Sequence, residues 1–220
     1  MGRRGAGSDE AAATLKARGG RRRAMRGAII PVFFDFVCPW SYSGRARERR
    51  LQREEGLRFV HVPWEIHPST PPEGKRNDHP PPGERLRALA REGGIDLRIP
   101  ERLSNSRRAL RGVFYARARD AEEAYVDACF EAYWERQADL HDDETLRRVA
   151  RESGLDEDGL LRATEDAAWD VVLAAGDEWA EALGVETTVT YVVGGKAFQA
   201  LGSYDAVRNR LAGYAPSARR

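Results

Sequence analysis

The 220-residue sequence contains only two cysteines, Cys38 and Cys129, and two methionines. Two cysteines cannot form the disulfide framework that small secreted domains use in place of a large core. No run approaches roughly 18 consecutive apolar residues, so the sequence predicts no transmembrane helix. The paired arginines near the start are not followed by an apolar stretch, which argues against a secretory or twin-arginine signal. A cytoplasmic location is the default expectation.

Sequence motifs typical of metal or nucleotide sites are also missing. None of the four histidines stands at ligand spacing from another histidine or cysteine, so no metal site is expected. His61 alternates with apolar neighbours, whereas His67, His79 and His141 are interpreted as ordinary loop residues, although His67 could reach a nearby site. No G-x-G-x-x-G or P-loop pattern appears, and no tightly bound nucleotide cofactor is expected.

Net positive charge is confined to the first 27 residues. Residues 1–27 hold seven Arg, one Lys and two acids, whereas the rest of the chain carries 28 basic and 33 acidic residues. The first segment has no periodicity, and we expect a disordered basic tail over residues 1–27. The remaining body is mildly acidic and has no basic stripe, which argues against a nucleic-acid partner.

The first half of the folded body begins with a strand and a helix. "AIIPVFFDFV" is rich in β-branched and aromatic residues and predicts a buried strand. Pro39 suits the first turn of a helix, which should run to Glu55 and end at Gly56. "LRFVHVPWEI" predicts a second strand, and the Pro-rich stretch after it predicts a loop.

The second half is predicted to be a helical block followed by a hairpin. The pattern is helical from Glu84 to Leu183, and "SNSRR" within it indicates a helix start with a salt bridge for Arg107. "TTVTYVV" and "KAFQAL", joined by two glycines, predict a β-hairpin. Ser203 should then cap a final helix. This order predicts an α/β fold with a mixed sheet and a helical insertion.

The two cysteines differ in their surroundings. Cys129 shares an apolar helix face with Val126, Phe130 and Tyr133, and we interpret it as a core residue. Cys38 lies between a strand end and a helix start, where backbone N–H groups and the helix dipole favour a thiolate. We therefore expect an activated nucleophile at Cys38.

Four segments resemble the DsbA family of thioredoxin-fold proteins, and in particular its FrnE-like branch. "DFVCPWSY" differs at one position from the branch motif D-F-V-C-P-W-C-Y. "HPSTPPEG", "LSNSRRAL" and "GVETTVTYVVGGK" follow in the family's order. The resemblance covers about Ala28 to Leu211. It implies a thioredoxin-like domain formed by residues 28–80 and 184–214, with an all-helical insertion at residues 81–183.

The chain departs from this family at two catalytic features. Ser41 stands where the family has the second cysteine, which resolves the mixed disulfide, and a hydroxyl cannot perform that step. Val189 stands where the family has a cis-proline. Because a cis bond before a non-proline residue costs roughly 3–4 kcal/mol, we expect a trans Thr188–Val189 bond and a reshaped rim around Cys38.

Three functions remain open at this point. In the first, Cys38 is a single nucleophile, Ser41 donates a hydrogen bond to it, and an external thiol such as glutathione resolves the adduct. In the second, the chain resembles kappa-class glutathione transferases and 2-hydroxychromene-2-carboxylate isomerases, which bind glutathione. In the third, it is a redox-inactive binding protein. The first implies a thiol- or disulfide-bearing small molecule or protein as partner, in a groove lined by Pro39, Trp40, Thr188 and Val189.

Overall fold

The structure, a computed structural model, describes residues 27–214. The predicted basic tail therefore lies almost entirely outside the described residues. The strands are β1 (Ile29–Phe34), β2 (Arg58–Pro63), β3 (Lys75–Arg76), β4 (Arg102–Leu103), β5 (Thr190–Val193) and β6 (Lys196–Gln199). The α-helices are α1 (Pro39–Glu55), α2 (Glu84–Glu92), α3 (Arg107–Arg117), α4 (Glu122–Phe130), α5 (Asp143–Ser153), α6 (Glu157–Glu165), α7 (Asp170–Ala182) and α8 (Tyr204–Gly213).

The main sheet has the strand order β2-β1-β5-β6. β1 and β2 are parallel, with Val32 opposite His61, because α1 forms the crossover between them. β5 pairs antiparallel with both β1 and β6, and the β5–β6 turn has positive φ at Gly194 and Gly195, as predicted for two glycines. The expected α/β fold with a mixed sheet is confirmed, and α2 to α7 lie between β2 and β5 in the chain.

Two short strands interrupt regions that the sequence predicts as loop and helix. β3 lies in the Pro-rich segment and pairs antiparallel with β4, which lies inside the predicted helical block. Each strand has two residues, which is too short to show the alternation from which strands are predicted. A π-helix, Glu131–Glu135, also extends α4.

An aromatic core joins the sheet to the helical block. Phe34 and Phe36 pack edge-to-face at 5.0 Å between ring centroids, and Phe36 lies 5.3 Å from Phe130 of α4. All three are buried, and burying each side chain stabilises the fold by roughly 1.5–3 kcal/mol. Cys129 is fully buried beside them, as predicted, and burial raises the pKa of its thiol far above the usual range.

Buried charges fix α1 against the same block. The Arg45 guanidinium donates to Asp127 of α4 at 2.7 Å and to Glu48 at 3.4 Å. Glu48 in turn lies 3.1 Å from His61 Nε2, and Glu122 lies 3.0 Å from His61 Nδ1. Because Arg45, Glu48 and His61 are buried, removing one partner would leave another without its hydrogen bond. The network holds α1, the helix that follows Cys38, in a defined position.

Within residues 27–214, no helix has the length and apolar character that crossing a bilayer requires. The same residues contain no cluster of three or more His, Cys, Asp or Glu side chains that could hold a metal ion.

Candidate active site

Cys38 lies at the N-terminus of α1, as the sequence predicts. It is the residue before the helix, with φ −85° and ψ 120°, and Pro39 occupies the first turn. Its carbonyl accepts the first helical hydrogen bond from the Tyr42 N–H at 3.1 Å. The backbone N–H groups of Trp40 and Ser41, in the first turn, act on the sulfur in the direction that favours its thiolate.

The pKa of Cys38 shifts in the direction opposite to the one expected. Cys38 is only 4% exposed, and burial raises the pKa of its thiol above the usual value. Thr188, Ser41 and the backbone N–H of Trp40 act in the opposite direction but do not outweigh burial. The expectation of a thiol activated by the helix alone is wrong, because burial withdraws the sulfur from water, which would otherwise stabilise the thiolate.

The opposite lip of the site is the Thr188–Val189 segment. The Cys38 thiol donates to the Thr188 carbonyl, with 3.8 Å between Sγ and O. The peptide bond between Thr188 and Val189 is cis, so the prediction of a trans bond is wrong. The surroundings of the segment override the local preference. Val189 is fully buried against Gly44 of α1, and its carbonyl accepts from Ala200 N at 2.9 Å.

Ser41 faces the strand end behind the sulfur. Its Oγ accepts from the backbone N–H of Asp35 at 3.4 Å, and Ser41 also lowers the pKa of Cys38. A hydroxyl at this position therefore favours the thiolate of Cys38 and accepts a hydrogen bond from the backbone before it. It offers no sulfur to resolve a mixed disulfide. Cys129 lies elsewhere in the core and does not line the cavity described next.

Cys38 opens into a cavity of about 510 Å³. Its wall is mostly aromatic and apolar. It is lined by Val37, Cys38, Pro39, Trp40, Trp64, Glu65, Ile66, His67, Asn77, His79, Pro80, Pro81, Pro82, Gly83, Leu86, Ile99, Trp134, Glu186, Thr187 and Thr188. Cavities of this size and composition suit small organic ligands.

Two of the tryptophans come from parts of the chain that the sequence does not connect with Cys38. Trp134 belongs to the π-helix, stacks on Tyr42 at 5.3 Å and donates from Nε1 to the Phe36 carbonyl at 2.8 Å. Trp64 follows β2. No local pattern predicts that they meet at Cys38, whereas the predicted position of Trp40 beside the sulfur agrees with its place in the cavity wall.

Two histidines form a pair on the cavity wall. His67 Nε2 lies 3.1 Å from His79 Nε2, and their ring centroids are 4.8 Å apart. Burial, His79 and Lys75 lower the pKa of His67. Both histidines lie in loops, as predicted, and the structure adds that their rings meet on the cavity wall. Their separation of 12 residues gave no ligand-spacing signal.

Asp35 is a second site residue to which the sequence assigned no role. Its carboxylate accepts from Ile66 N at 2.9 Å and from Val37 N at 3.4 Å, so it joins two loops of the cavity wall. Burial raises the pKa of this carboxyl to about 7, although the hydrogen bonds from Ile66 and Ser106 act to lower it. Its position three residues before Cys38 was the available signal.

Comparison with known proteins agrees with this architecture. The model of the DSBA-like thioredoxin domain family matches residues 29–212. The chain is 22% identical over 172 residues to the uncharacterized protein YwbO of Bacillus subtilis, covering 75% of this chain and 86% of YwbO. It is 28% identical over 152 residues to 2-hydroxychromene-2-carboxylate isomerase of Sphingobium xenophagum, covering 63% of this chain and 75% of the isomerase.

A solved structure extends the comparison to the backbone. A probable DsbA oxidoreductase of Streptomyces coelicolor superposes with a TM-score of 0.72 at 21% identity, covering 87% of this chain and 92% of that one. The family match at residues 29–212 spans both halves of the sheet and the helices between them. The chain belongs to the DSBA-like thioredoxin domain family.

Proposed function

We propose that the chain is a monothiol exchange enzyme of the FrnE-like branch, in which Cys38 is the sole nucleophile. The observation that carries the proposal is a single sulfur at a helix N-terminus that opens into an aromatic cavity, with Ser41 where a resolving cysteine would stand. Such a protein would act in a reducing cytoplasm, where external thiols are abundant.

The proposed exchange has two steps. The Cys38 thiolate attacks a disulfide R–S–S–R, which gives Cys38–S–S–R and releases R–S⁻. An external thiolate R′–S⁻ then attacks the substrate-derived sulfur, which gives R–S–S–R′ and returns the Cys38 thiolate. The two protons lost by the thiols are taken up by R–S⁻ and by Cys38. The raised pKa of Cys38 reduces its thiolate fraction but makes each thiolate more nucleophilic.

Intact-mass spectrometry tests this proposal directly. Native protein would be incubated with hydroxyethyl disulfide, a small uncharged reagent, beside a Cys38→Ser control. We expect one adduct on the native protein, none on the variant, and its removal by added thiol. An adduct that forms only after unfolding would contradict the proposal and favour a redox-inactive binding protein.

A second candidate is a glutathione-dependent isomerase or transferase. The identity of 28% with 2-hydroxychromene-2-carboxylate isomerase favours it, as does the lack of a resolving cysteine, which such chemistry does not need. Binding of reduced glutathione by native protein, with affinity unchanged in Cys38→Ala, would support this candidate over disulfide exchange.

A further inference from the structure

The second step of the proposed exchange needs a proton acceptor inside the cavity, because most external thiols enter it protonated. A free alkyl thiol has a pKa of about 8.5 or higher, whereas the attacking species is the thiolate. During this step Cys38 is bound in the mixed disulfide, so its sulfur cannot take the proton. Another group on the wall must accept it, or the step waits for thiolate formed in solution.

Few side chains of the described cavity wall can gain and lose a proton near neutral pH. The ionisable ones are Cys38, Glu65, His67, His79 and Glu186. Glu65 Oε2 lies 2.7 Å from the Arg107 guanidinium, and Glu186 is exposed. Carboxylates are weak bases toward a thiol, whereas imidazole exchanges a proton between about pH 5 and 8. The two histidines are therefore the lining groups suited to this transfer.

The contact between the two imidazole rings forms a path for a proton. The Nε2 atoms of His67 and His79 lie 3.1 Å apart, so one Nε2 carries a proton and the other accepts it. The donating ring then has a free Nδ1, and the accepting ring carries its proton on Nδ1. A proton that binds the free Nδ1 moves the shared proton across the contact, and the other Nδ1 releases one. His67 is half-buried and His79 is exposed, so the path leads to water.

The surroundings of the pair keep it able to accept a proton at neutral pH. Burial, His79 and Lys75 lower the pKa of His67, so its imidazole is neutral there. The carboxylate of Asp78, next to His79 in the chain, lies 3.2 Å from Arg76 Nε. Among residues 27–214 neither ring forms another side-chain hydrogen bond, which leaves both Nδ1 atoms free to exchange protons.

We propose that the His67–His79 pair accepts the proton of the external thiol during the second step of exchange at Cys38. The R′–SH proton passes to the pair, and R′–S⁻ attacks the substrate-derived sulfur to form R–S–S–R′. The electron pair of the broken bond stays on the Cys38 sulfur, which takes one proton from solvent. The exposed ring of the pair releases one proton to solvent. This inference rests on the proposed exchange and adds two proton-transfer residues to it.

The test isolates the second step by using the same organic group on both sulfurs. Native protein is modified with hydroxyethyl disulfide, desalted and mixed with excess 2-mercaptoethanol. Attack at the Cys38 sulfur would regenerate the same adduct, so loss of the adduct reports attack at the substrate-derived sulfur. The adduct remaining in acid-quenched samples is measured by intact mass between about pH 6 and 9.

We expect the parent to lose its adduct at a rate that changes little between about pH 7 and 8, because the protonated thiol reacts through the pair. Without the pair only thiolate from solution reacts, and the rate should rise about tenfold per pH unit. His67→Gln and His79→Gln should show this steep profile, about tenfold below the parent near pH 7 and equal to it near pH 9. His141→Gln replaces a loop histidine outside the cavity and should keep the parent profile.

The outcomes separate this inference from the proposed function. A steep profile in the parent, or a parent profile retained by either variant of the pair, would overturn the inference while exchange at Cys38 stands. His79 is exposed, so His79→Gln gives this answer even if His67→Gln does not fold. Failure of hydroxyethyl disulfide to modify native protein would overturn the proposed exchange itself.

Discussion

Replacing Asp35 by asparagine tests how the buried carboxyl behind the cavity affects stability. Burial raises the pKa of Asp35 from 3.8 to about 7. Between these values the folded protein keeps a proton that the unfolded chain has released. Stability should therefore fall as the pH rises from about 4 to about 7 and then level off. The difference of about three units corresponds to about 4 kcal/mol.

Asparagine removes this dependence because it cannot ionise. Its amide can accept one hydrogen bond from the loops but presents an N–H₂ group to the other donor, at a cost of about 1 kcal/mol or more. The variant should thus be somewhat less stable than the parent near pH 4. It should be more stable by about 3 kcal/mol above pH 8, where the parent buries a full charge. The two stability curves should cross.

Urea unfolding followed by circular dichroism at several pH values measures both curves. Other titrating groups contribute equally to the two proteins, so their difference isolates Asp35. Asp96→Asn, at an exposed position, serves as the matched control and should run parallel to the parent. Parallel curves for Asp35→Asn as well would refute the reasoning, since they would mean that Asp35 titrates at the same pH in both states.

Three further predictions concern packing, charge and the missing thiol. Gly112→Ala should destabilise the protein by about 2–4 kcal/mol in a urea titration, because the new methyl group would lie 2.1 Å from the Tyr125 hydroxyl; unchanged stability would contradict this. The pKa of His61 is raised by its two carboxylate partners, although burial opposes the shift, so its contribution to stability is full below about pH 6.5 and is lost as the pH rises through the higher folded value. His61→Gln should flatten that loss in urea titrations, and an equal alkaline loss in the variant would contradict it. Ser41→Cys should form a disulfide with Cys38 under mild oxidation and gain insulin reductase activity, and a variant that keeps three free thiols after oxidation would contradict the placement of position 41 beside the sulfur.

The parts of the fold with strong local signals were predictable from the sequence. Pro39 begins α1, and Gly56 ends it with φ 68°. Ser203 accepts from the Ala206 N–H and caps α8. Arg107 begins α3 and forms the predicted salt bridge, with Glu65 as its partner. Each signal works over a few residues, because capping and turn formation depend on the neighbouring backbone.

The remaining features depend on contacts between distant segments. The cis bond before Val189 goes against the local preference and is held by the packing of α1 and the hydrogen bond from Ala200. The pairing of His67 with His79 depends on the path of an irregular loop. The burial that raises the pKa of Cys38 is a property of the assembled cavity. Periodicity and residue type carry no information about such contacts.

Burial of the nucleophile and selectivity of the cavity have the same structural origin. Cys38 is 4% exposed, because the Thr188–Val189 lip and the cavity wall with Trp40, Trp64 and Trp134 surround it. A reagent must therefore enter the cavity to reach the sulfur, and the wall that withdraws the thiol from water is the wall that the reagent contacts. For an exposed thiol, the rate of exchange would depend mainly on the intrinsic reactivity of the reagent. Here the rate at Cys38 should follow how well the ligand fits the cavity.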